Sequence, residues 1–398
     1  MFTIDETNKI KSYRDIAMDR ITAKHINCFK GHTRPVFLIS EQYPGVWLEH
    51  VYDSVFFARL DRSYIDIAKN TLNLFLDNQK ENGQLPYKVV DMNKCEAQSE
   101  CGYAQIQECV SFARLCYEYY GMSSDTDFLK KAYDKCIKWV HWYEKCRMPS
   151  GKGLAEMFCG YDTGHDNSGR LEGMLYKKAA KDNDATSYPT GDEVLPVIAP
   201  DINAVLYGNL TALYNMAKAL GNGEENFWMQ KAERVKKKLM EICYDEDDAF
   251  FYDVDKNGNM RRYLSISITN VFSEHMLTKD EFDIIYDRHM RNPDEFYTPY
   301  PFPSMAVSDP SFKQNLSGNS WGFYSQALTI LRCTRWMDYY GRGEDFDKIL
   351  EIWIRQWTFD NDIMFGQELN PLTGKTSDCS QWYSSCMLLY IYAVQRLL

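Results

Sequence analysis

The sequence lacks any long apolar run, since no stretch approaches the ~18 consecutive apolar residues of a membrane-spanning helix. Its first residues, 1–7, contain neither the basic nor the apolar region of a secretory signal. Lys and Arg are fewer than Asp and Glu, 45 against 56, and the longest basic block is Lys236–Lys238. No stripe of positive potential is therefore available for nucleic acid. We predict a soluble, cytoplasmic protein with no membrane or nucleic-acid partner.

Metal-binding and disulfide motifs are also missing. The 12 cysteines are scattered along the chain without a CxxC pair, and the 7 histidines include no HExxH. This pattern is typical of free cysteines that pack as small apolar residues, rather than of a disulfide framework or a zinc site. We expect neither a bound metal nor a cofactor.

Helical periodicity is abundant, whereas strand alternation is scarce. Apolar residues recur every three or four positions from Leu206 to Leu220, and Gly221 follows as a helix stop. Ser63, Ser124 and Thr278 each precede an acidic residue by three positions, the spacing of a capping box at a helix start. The chain is therefore predicted to be all-α.

The predicted helices form pairs, and the first and last helices remain to pair with each other. A closed ring requires this pairing, whereas an open array would need capping repeats. We predict a single domain over 1–398 with an (α/α)6 toroid fold, a barrel of six hairpins. The predicted hairpins span 50–80, 104–147, 201–244, 264–290 and 320–358, with 8–27 pairing with 382–398. The connections 148–200 and 291–319 are unusually long, which is typical of functional loops.

Two loops carry unusual polar residues. Residues 160–170 (Gly-Tyr-Asp-Thr-Gly-His-Asp-Asn-Ser-Gly-Arg) combine two acids, an amide and a guanidinium with three glycines. Such a loop suits polyol recognition or an oxygen-ligated metal, although it has no EF-hand pattern, and a plain solvated turn is equally compatible. A second acidic loop, 365–374, follows the fifth hairpin.

If both loops lie at one mouth of the ring, their carboxylates can face each other across a pocket. One carboxyl group protonating a leaving oxygen and another activating water is the arrangement of glycoside hydrolysis. Aromatic residues that could stack on a sugar lie at predicted helix starts or in loops, although each of them alone would also suit the core. These are Trp47, Tyr52, Trp321, Trp382 and Tyr383.

The loop at 161–170 resembles the Trp-Glu-Ser-Gly-x-Asp-Asn-Ser-Pro-Arg segment of family 63 glycoside hydrolases and their trehalase-like and mannosylglycerate-hydrolase-like relatives. These enzymes are (α/α)6 toroids. Further similar segments follow in the expected order and cover nearly the whole chain. They lie at 50–57, 201–207, 302–304 with 309–312, and 370–374 followed by Trp382.

The resemblance implies an inverting, exo-acting α-glycosidase that releases a terminal α-linked hexose, glucose, from a small glycoside or oligosaccharide. It makes Asp166 the general acid and Arg170, Asp53 and Trp382 sugar contacts. In the ungapped register, the family's general base falls on Gln367, which cannot accept a proton from water. We therefore predict Glu368, one position later, as the base. The remaining predicted substrate contacts are Trp47, Tyr52, Gln105, Asp162, Asn167, Trp321 and Gln367.

Two alternatives remain open on the same ring. A sugar 2-epimerase would transfer protons next to a carbonyl, usually through histidine, but the histidines show no obvious inward pair in the sequence. A non-catalytic sugar-binding protein would be consistent with Gln367 at the position of the base.

Overall fold

The computed structural model describes residues 2–97, 99–313, 320–360 and 365–398, which leaves 314–319 of the long connection 291–319 outside the described residues. The described residues contain twelve α-helices, which pair into hairpins as predicted. They are α1 (Ile4–Arg20), α2 (Val51–Leu60), α3 (Ile65–Asp77), α4 (Phe112–Ser123), α5 (Thr126–Cys146), α6 (Pro200–Leu220), α7 (Glu225–Cys243), α8 (Ile268–Ser273), α9 (Lys279–Ile285), α10 (Ala327–Arg332), α11 (Gly343–Arg355) and α12 (Ser384–Leu397).

The even-numbered helices form an inner ring. Neighbouring contacts run from α2 through α4 and α6 to α8, continue through the 3-10 turn Cys333–Arg335 after α10, and return from α12 to α2. Inner helices are buried on nearly every side, as in α6, where each residue from Pro200 to Leu210 is buried. Outer helices bury one stripe, as in α11 with Phe346, Ile349 and Trp353. The predicted (α/α)6 toroid is therefore confirmed.

Helix α1 completes the outer layer by packing on α12. Ile10 and Ala17 are fully buried, and the Tyr390 hydroxyl donates to the Ile10 carbonyl oxygen at 3.3 Å. Thr3 and Glu6 form a reciprocal capping box that fixes the start of α1. The predicted pairing of the first and last helices is therefore confirmed.

Of the three predicted capping boxes, only Thr278 forms one, with Glu281. Ser124 adopts a left-handed conformation at the end of α4, and Asp125 caps α5 by accepting a hydrogen bond from the Phe128 N–H. A 3-10 turn that includes Ser63 precedes α3. The boxes at Ser63 and Ser124 were wrong because an acidic residue near each serine caps the turn instead.

Short strands tie the connecting loops together, and none in the described residues exceeds three residues. They are β1 (Ile26–Asn27), β2 (Val36–Phe37), β3 (Gly45–Trp47), β4 (Lys88–Val90), β5 (Cys101–Gly102), β6 (Glu156–Met157), β7 (Val197–Ile198), β8 (Tyr244–Asp245), β9 (Phe250–Phe251), β10 (Asp253–Val254), β11 (Met260–Arg261), β12 (Ser325–Gln326) and β13 (Glu368–Leu369). Antiparallel pairing joins β3 to β4, β4 to β5, and β12 to β13. These pairs position the loops at one mouth of the ring.

Within the described part of the chain, no helix combines the length and apolar character that crossing a membrane requires.

Candidate active site

A cavity of about 270 Å³ opens where the connecting loops meet. Its wall combines aromatic rings with carboxyl, amide and ammonium groups. The lining residues are Ile39, Tyr43, Trp47, Glu49, His50, Tyr87, Lys88, Gln105, Gln107, Tyr161, Asp166, Lys178, Gln367 and Tyr383. Asp166 and Gln367 come from the two loops that were predicted to share a mouth, and the cavity brings them together.

Asp166 contributes a carboxyl group with an unusual environment. Burial raises its pKa to about 7, the charge of Glu49 acts in the same direction, and Lys177 and Lys178 oppose the shift. The Asp166 Oδ1 atom is buried and has no hydrogen-bond partner among the described residues. At neutral pH this carboxyl is therefore protonated in a large fraction of molecules, which suits a general acid.

Glu49 is a second carboxyl group in the cavity wall, and the sequence analysis did not identify it. It lies in the 3-10 turn Leu48–His50 that opens α2. Burial would raise its pKa, but the His50 ring and the Arg332 guanidinium lower it below the usual value. The lowered pKa makes Glu49 an ionised carboxylate at neutral pH. Its Oε1 atom lies 3.2 Å from Nδ1 of the His50 ring.

His50 also contacts an aromatic hydroxyl of the cavity. Its Nε2 atom is hydrogen-bonded to the Tyr383 hydroxyl, and the two rings meet edge to face. Burial raises the pKa of Tyr383, so the phenol is neutral. Glu49, His50 and Tyr383 thus lie side by side along the wall, with a charge contact between Glu49 and His50 and a hydrogen bond between His50 and Tyr383.

Glu368, the predicted base, is fully buried and is not part of the cavity lining. It accepts hydrogen bonds from Ser377 Oγ at 2.7 Å, Gln326 Nε2 at 2.6 Å and the Ser320 N–H at 3.5 Å. Burial raises the pKa of Glu368 to about 7. Its neighbour Gln367 faces the cavity instead, because successive side chains in an extended segment point to opposite sides.

The predicted substrate contacts divide into two groups. Trp47, Gln105 and Gln367 line the cavity together with Asp166. Among the others, Tyr52 is buried, and its hydroxyl is hydrogen-bonded to Thr334 at 2.6 Å. The structure therefore places Tyr52 behind the wall, which differs from the sequence prediction.

Three charged residues predicted as substrate contacts are buried and bound to protein partners. Asp53 accepts hydrogen bonds from Ser384 and Ser385, and Asp162 pairs with Arg147. Arg170 pairs with Asp201 at 2.7 Å and with Asp253 at 2.6 Å. These pairs join loops to helices because an unpaired buried charge is costly, and none of the three predicted residues lines the cavity.

The last three predicted contacts also lie outside the lining. Trp321 stacks on His165 with ring centroids 4.2 Å apart, and Trp382 packs under the Arg20 guanidinium. Asn167 accepts a hydrogen bond from Lys177 Nζ at 3.3 Å. Trp321 still contacts the site, because its backbone N–H donates a hydrogen bond to the Asp166 backbone oxygen at 3.0 Å.

Sequence reasoning missed most of the cavity wall. The missed residues lie in loops, a short strand or a 3-10 turn without a recognisable motif; they include Tyr43, Glu49, Tyr87, Lys88 and Lys178. The pairing of β3 with β4 brings Tyr43 and Glu49, which flank β3, close to Tyr87, which precedes β4. No local sequence pattern predicts this pairing.

No group of three or more His, Cys, Asp or Glu in the described ranges is arranged to hold a metal ion.

A closed (α/α)6 ring, with a partly protonated carboxyl group in an aromatic cavity at one mouth, defines a six-hairpin glycoside hydrolase. A family model for the mannosylglycerate hydrolase MGH1-like glycoside hydrolase domain matches residues 47–385. The chain belongs to this family, and the predicted relation to the family 63 and trehalase-like enzymes is confirmed.

Solved structures share the fold at low sequence identity. The GH63 mannosylglycerate hydrolase from Thermus thermophilus in complex with glucose has a TM-score of 0.75 and 16% identity, covering 96% of this chain and 99% of that one. Neutral trehalase from Saccharomyces cerevisiae has a TM-score of 0.65 and 13% identity, covering 91% and 75%. A Borreliella burgdorferi protein is 21% identical over an alignment of 329 positions, and the match covers 71% of this chain and 65% of that protein's length.

Proposed function

We propose that this glycoside hydrolase is an inverting, exo-acting α-glycosidase that removes a terminal α-linked hexose, glucose, from a small glycoside or oligosaccharide. The observation that carries the proposal is Asp166, a buried carboxyl in the cavity wall with a pKa raised to about 7. A general acid needs a pKa near the working pH so that it holds a proton and can still release it. Family membership favours hydrolysis over the epimerase alternative.

The cavity dimensions support an exo-acting enzyme. A volume of about 270 Å³ suits a small glycoside rather than an extended polysaccharide. Trp47, Tyr87 and Tyr161 offer ring faces and edges, and Gln105 and Gln367 offer amides for sugar hydroxyls. Aromatic surfaces with a few convergent polar groups are the usual means of binding a hexose in a pocket.

The ammonium groups of the wall indicate an anionic leaving group. Lys88 and the exposed Lys178 both line the cavity, and burial, together with the proximity of Lys178, lowers the pKa of Lys88. A carboxylate on the leaving group would relieve this repulsion between like charges. A mannosylglycerate hydrolase of the same fold has been solved in complex with Tris and D-glycerate. We therefore propose a hexose linked to a small hydroxy acid as the preferred substrate.

Glu368 remains the predicted base on sequence grounds. Its carboxyl group lies at the same mouth of the ring as Asp166. It accepts a hydrogen bond from the Ser320 N–H, and the next residue, Trp321, donates a backbone hydrogen bond to Asp166. The Glu368 side chain is fully buried and does not line the cavity, whereas the neighbouring Gln367 side chain does.

The test is to incubate the purified protein with α-glucosides and α-mannosides of neutral and acidic aglycones and to follow free sugar by NMR. We expect release of hexose, fastest from an acidic aglycone at low salt. Isomerisation of free hexose would instead identify an epimerase. Binding without turnover across the panel would identify a sugar-binding protein and would overturn the proposal.

A further inference from the structure

Among the described residues, two carboxyl side chains line the cavity, Asp166 and Glu49. An inverting glycosidase needs one carboxyl group to protonate the leaving oxygen and another to activate water from within the site. Glu368 does not meet the second requirement in this structure, because its side chain does not line the cavity, whereas the Glu49 side chain does.

We propose that Glu49, which lies in the cavity wall beside His50, is the general base of this enzyme, and that Glu368 is a buried support for the loop behind Asp166. This inference rests on the proposed glycosidase function and specifies which residue completes its catalytic pair.

The Glu49 carboxylate is held firmly against the loop that carries Asp166. The Glu49 backbone oxygen accepts a hydrogen bond from Arg332 Nη2 at 2.8 Å, and the side-chain oxygen Oε1 lies 3.2 Å from His50 Nδ1. A Cβ atom added at Gly164 would lie 2.4 Å from Glu49 Oε2, so the two segments touch. Glu49 therefore lies against the segment two residues before Asp166.

The surroundings of the two carboxyl groups also shift their pKa values in opposite directions, downward for Glu49 and upward for Asp166. The titratable and charged groups that face Glu49 are His50 from its own turn, Cys109 from the segment before α4, Arg332 from α10, Tyr383 from the start of α12, and His165 and Asp166 from the loop. The His50 ring and the Arg332 guanidinium lower the pKa of Glu49 against the effect of burial, and the Glu49 charge adds to the effect of burial in raising the pKa of Asp166. Environments that separate the pKa values of two neighbouring carboxyls are what assign acid and base roles in glycosidases.

The step balances with these two residues alone. The water oxygen forms a bond to the anomeric carbon while its proton passes to the Glu49 carboxylate. The bond between the anomeric carbon and the glycosidic oxygen breaks, its electron pair stays on that oxygen, and the oxygen takes the Asp166 proton. The products are an alcohol and a hexose of inverted configuration. Afterwards, Glu49 loses its proton to solvent and Asp166 regains one, which restores the starting state.

The hydrogen bonds of Glu368 explain its burial without a catalytic role. Glu368 fixes Gln326 and the Ser320 N–H, and the next residue, Trp321, holds the Asp166 backbone. Replacing Glu368 by Gln keeps the size of this support while it removes the titrating group. Activity should therefore depend far less on the Glu368 charge than on the Glu49 charge.

The first experiment compares Glu49→Gln with Glu368→Gln, and Glu246→Gln, at an exposed position, serves as a matched control. With α-glucosyl fluoride and α-mannosyl fluoride, Glu49→Gln should lower kcat by roughly 10²–10⁴-fold, the usual contribution of a positioned base, with KM within a few-fold. Glu368→Gln should keep kcat within about ten-fold of the wild-type value. Glu246→Gln should leave kcat unchanged. Circular dichroism and hexose binding by calorimetry show that each variant is folded.

The second experiment uses azide as a replacement nucleophile. Glu49→Ala opens space beside the anomeric carbon, so azide should restore turnover of the α-fluoride and yield the β-glycosyl azide, identified by NMR. A purely structural role for Glu49 would not give this product. If Glu368→Ala forms the azide and Glu49→Ala does not, or if Glu49→Gln retains near-native kcat, Glu49 is not the base. Wild-type protein that turns over neither fluoride nor glycoside would reject the glycosidase itself, which is a distinct result.

Discussion

The backbone N–H of Trp321 donates a hydrogen bond to the backbone oxygen of Asp166 at 3.0 Å. This single contact joins the loop after the second hairpin to the segment that opens the fifth. The preceding residue, Ser320, points its N–H at Glu368, so one dipeptide supports both carboxyl groups that the sequence predicts as catalytic. Two neighbouring backbone N–H groups therefore bond the two loops, one through the Asp166 backbone oxygen and one through the Glu368 side chain, although only Asp166 of the two carboxyls reaches the cavity.

Inversion should be visible in the first product. From an α-linked substrate, the hexose released should be the β anomer, observed by NMR before mutarotation. The α anomer appearing first would show retention and would contradict a water-activating base.

Asp166→Asn should reduce hydrolysis of glycosides with poor leaving groups by roughly 10²–10⁴-fold, because the leaving oxygen is no longer protonated. Turnover of an α-glycosyl fluoride should be affected much less, since fluoride leaves without a strong acid. Equal losses on both substrates would indicate damage to binding instead of loss of an acid.

The rate of hydrolysis should fall as pH rises through about 7, because the Asp166 carboxyl then loses its proton. Lys177 lowers the pKa of Asp166, so Lys177→Met should move this alkaline limb upward by about a few tenths of a unit. The shift should shrink at high salt, since exposed charges are screened. Profiles of kcat/KM at two ionic strengths provide the measurement.

Gly164→Ala should impair activity, since the new Cβ would lie 2.4 Å from Glu49 Oε2 and 2.7 Å from Cys109 Sγ. Gly151→Ala is a matched control, because Gly151 has nearly the same φ, 70° against 71°, and no atom lies within 4 Å of its added Cβ. Both variants should lose stability from backbone strain, Gly164→Ala more so because of its close contacts, and only Gly164→Ala should lose kcat. Comparable activities in the two would show that contact with Glu49 is unimportant.

Closure of the ring by α1 can be tested with two isoleucines of the same helix. Ile10 is fully buried against α12, whereas Ile4 is 81% exposed. Ile10→Ala should cost about 2–5 kcal/mol of unfolding free energy, and Ile4→Ala less than about 0.5. Urea denaturation followed by circular dichroism measures both, and similar values for the two would contradict the packing of α1.

Much of the fold was predictable because helix signals are local. The 3.6-residue period from Leu206 to Leu220 and the stop at Gly221 correspond to α6, which ends at Leu220. Ring closure followed from the unpaired first and last helices. The weaker predictions concerned helix caps, where Asp125 replaced Ser124, since neighbouring polar side chains compete for the same backbone N–H groups.

The sequence by itself determined the hairpin architecture and singled out the loop at 160–170, because a glycine-rich acidic loop is recognisable without its surroundings, and the resemblance to family 63 enzymes then identified Asp166 within it. Only the tertiary structure decided which of Glu49, Gln367 and Glu368 faces the cavity. Along the extended segment at β13, side chains alternate, so a register difference of one residue exchanges a side chain that lines the cavity for one that points away from it. Glu49 reaches the site because Gly164 lets two segments distant in sequence touch, and such contacts arise from packing rather than from a local pattern.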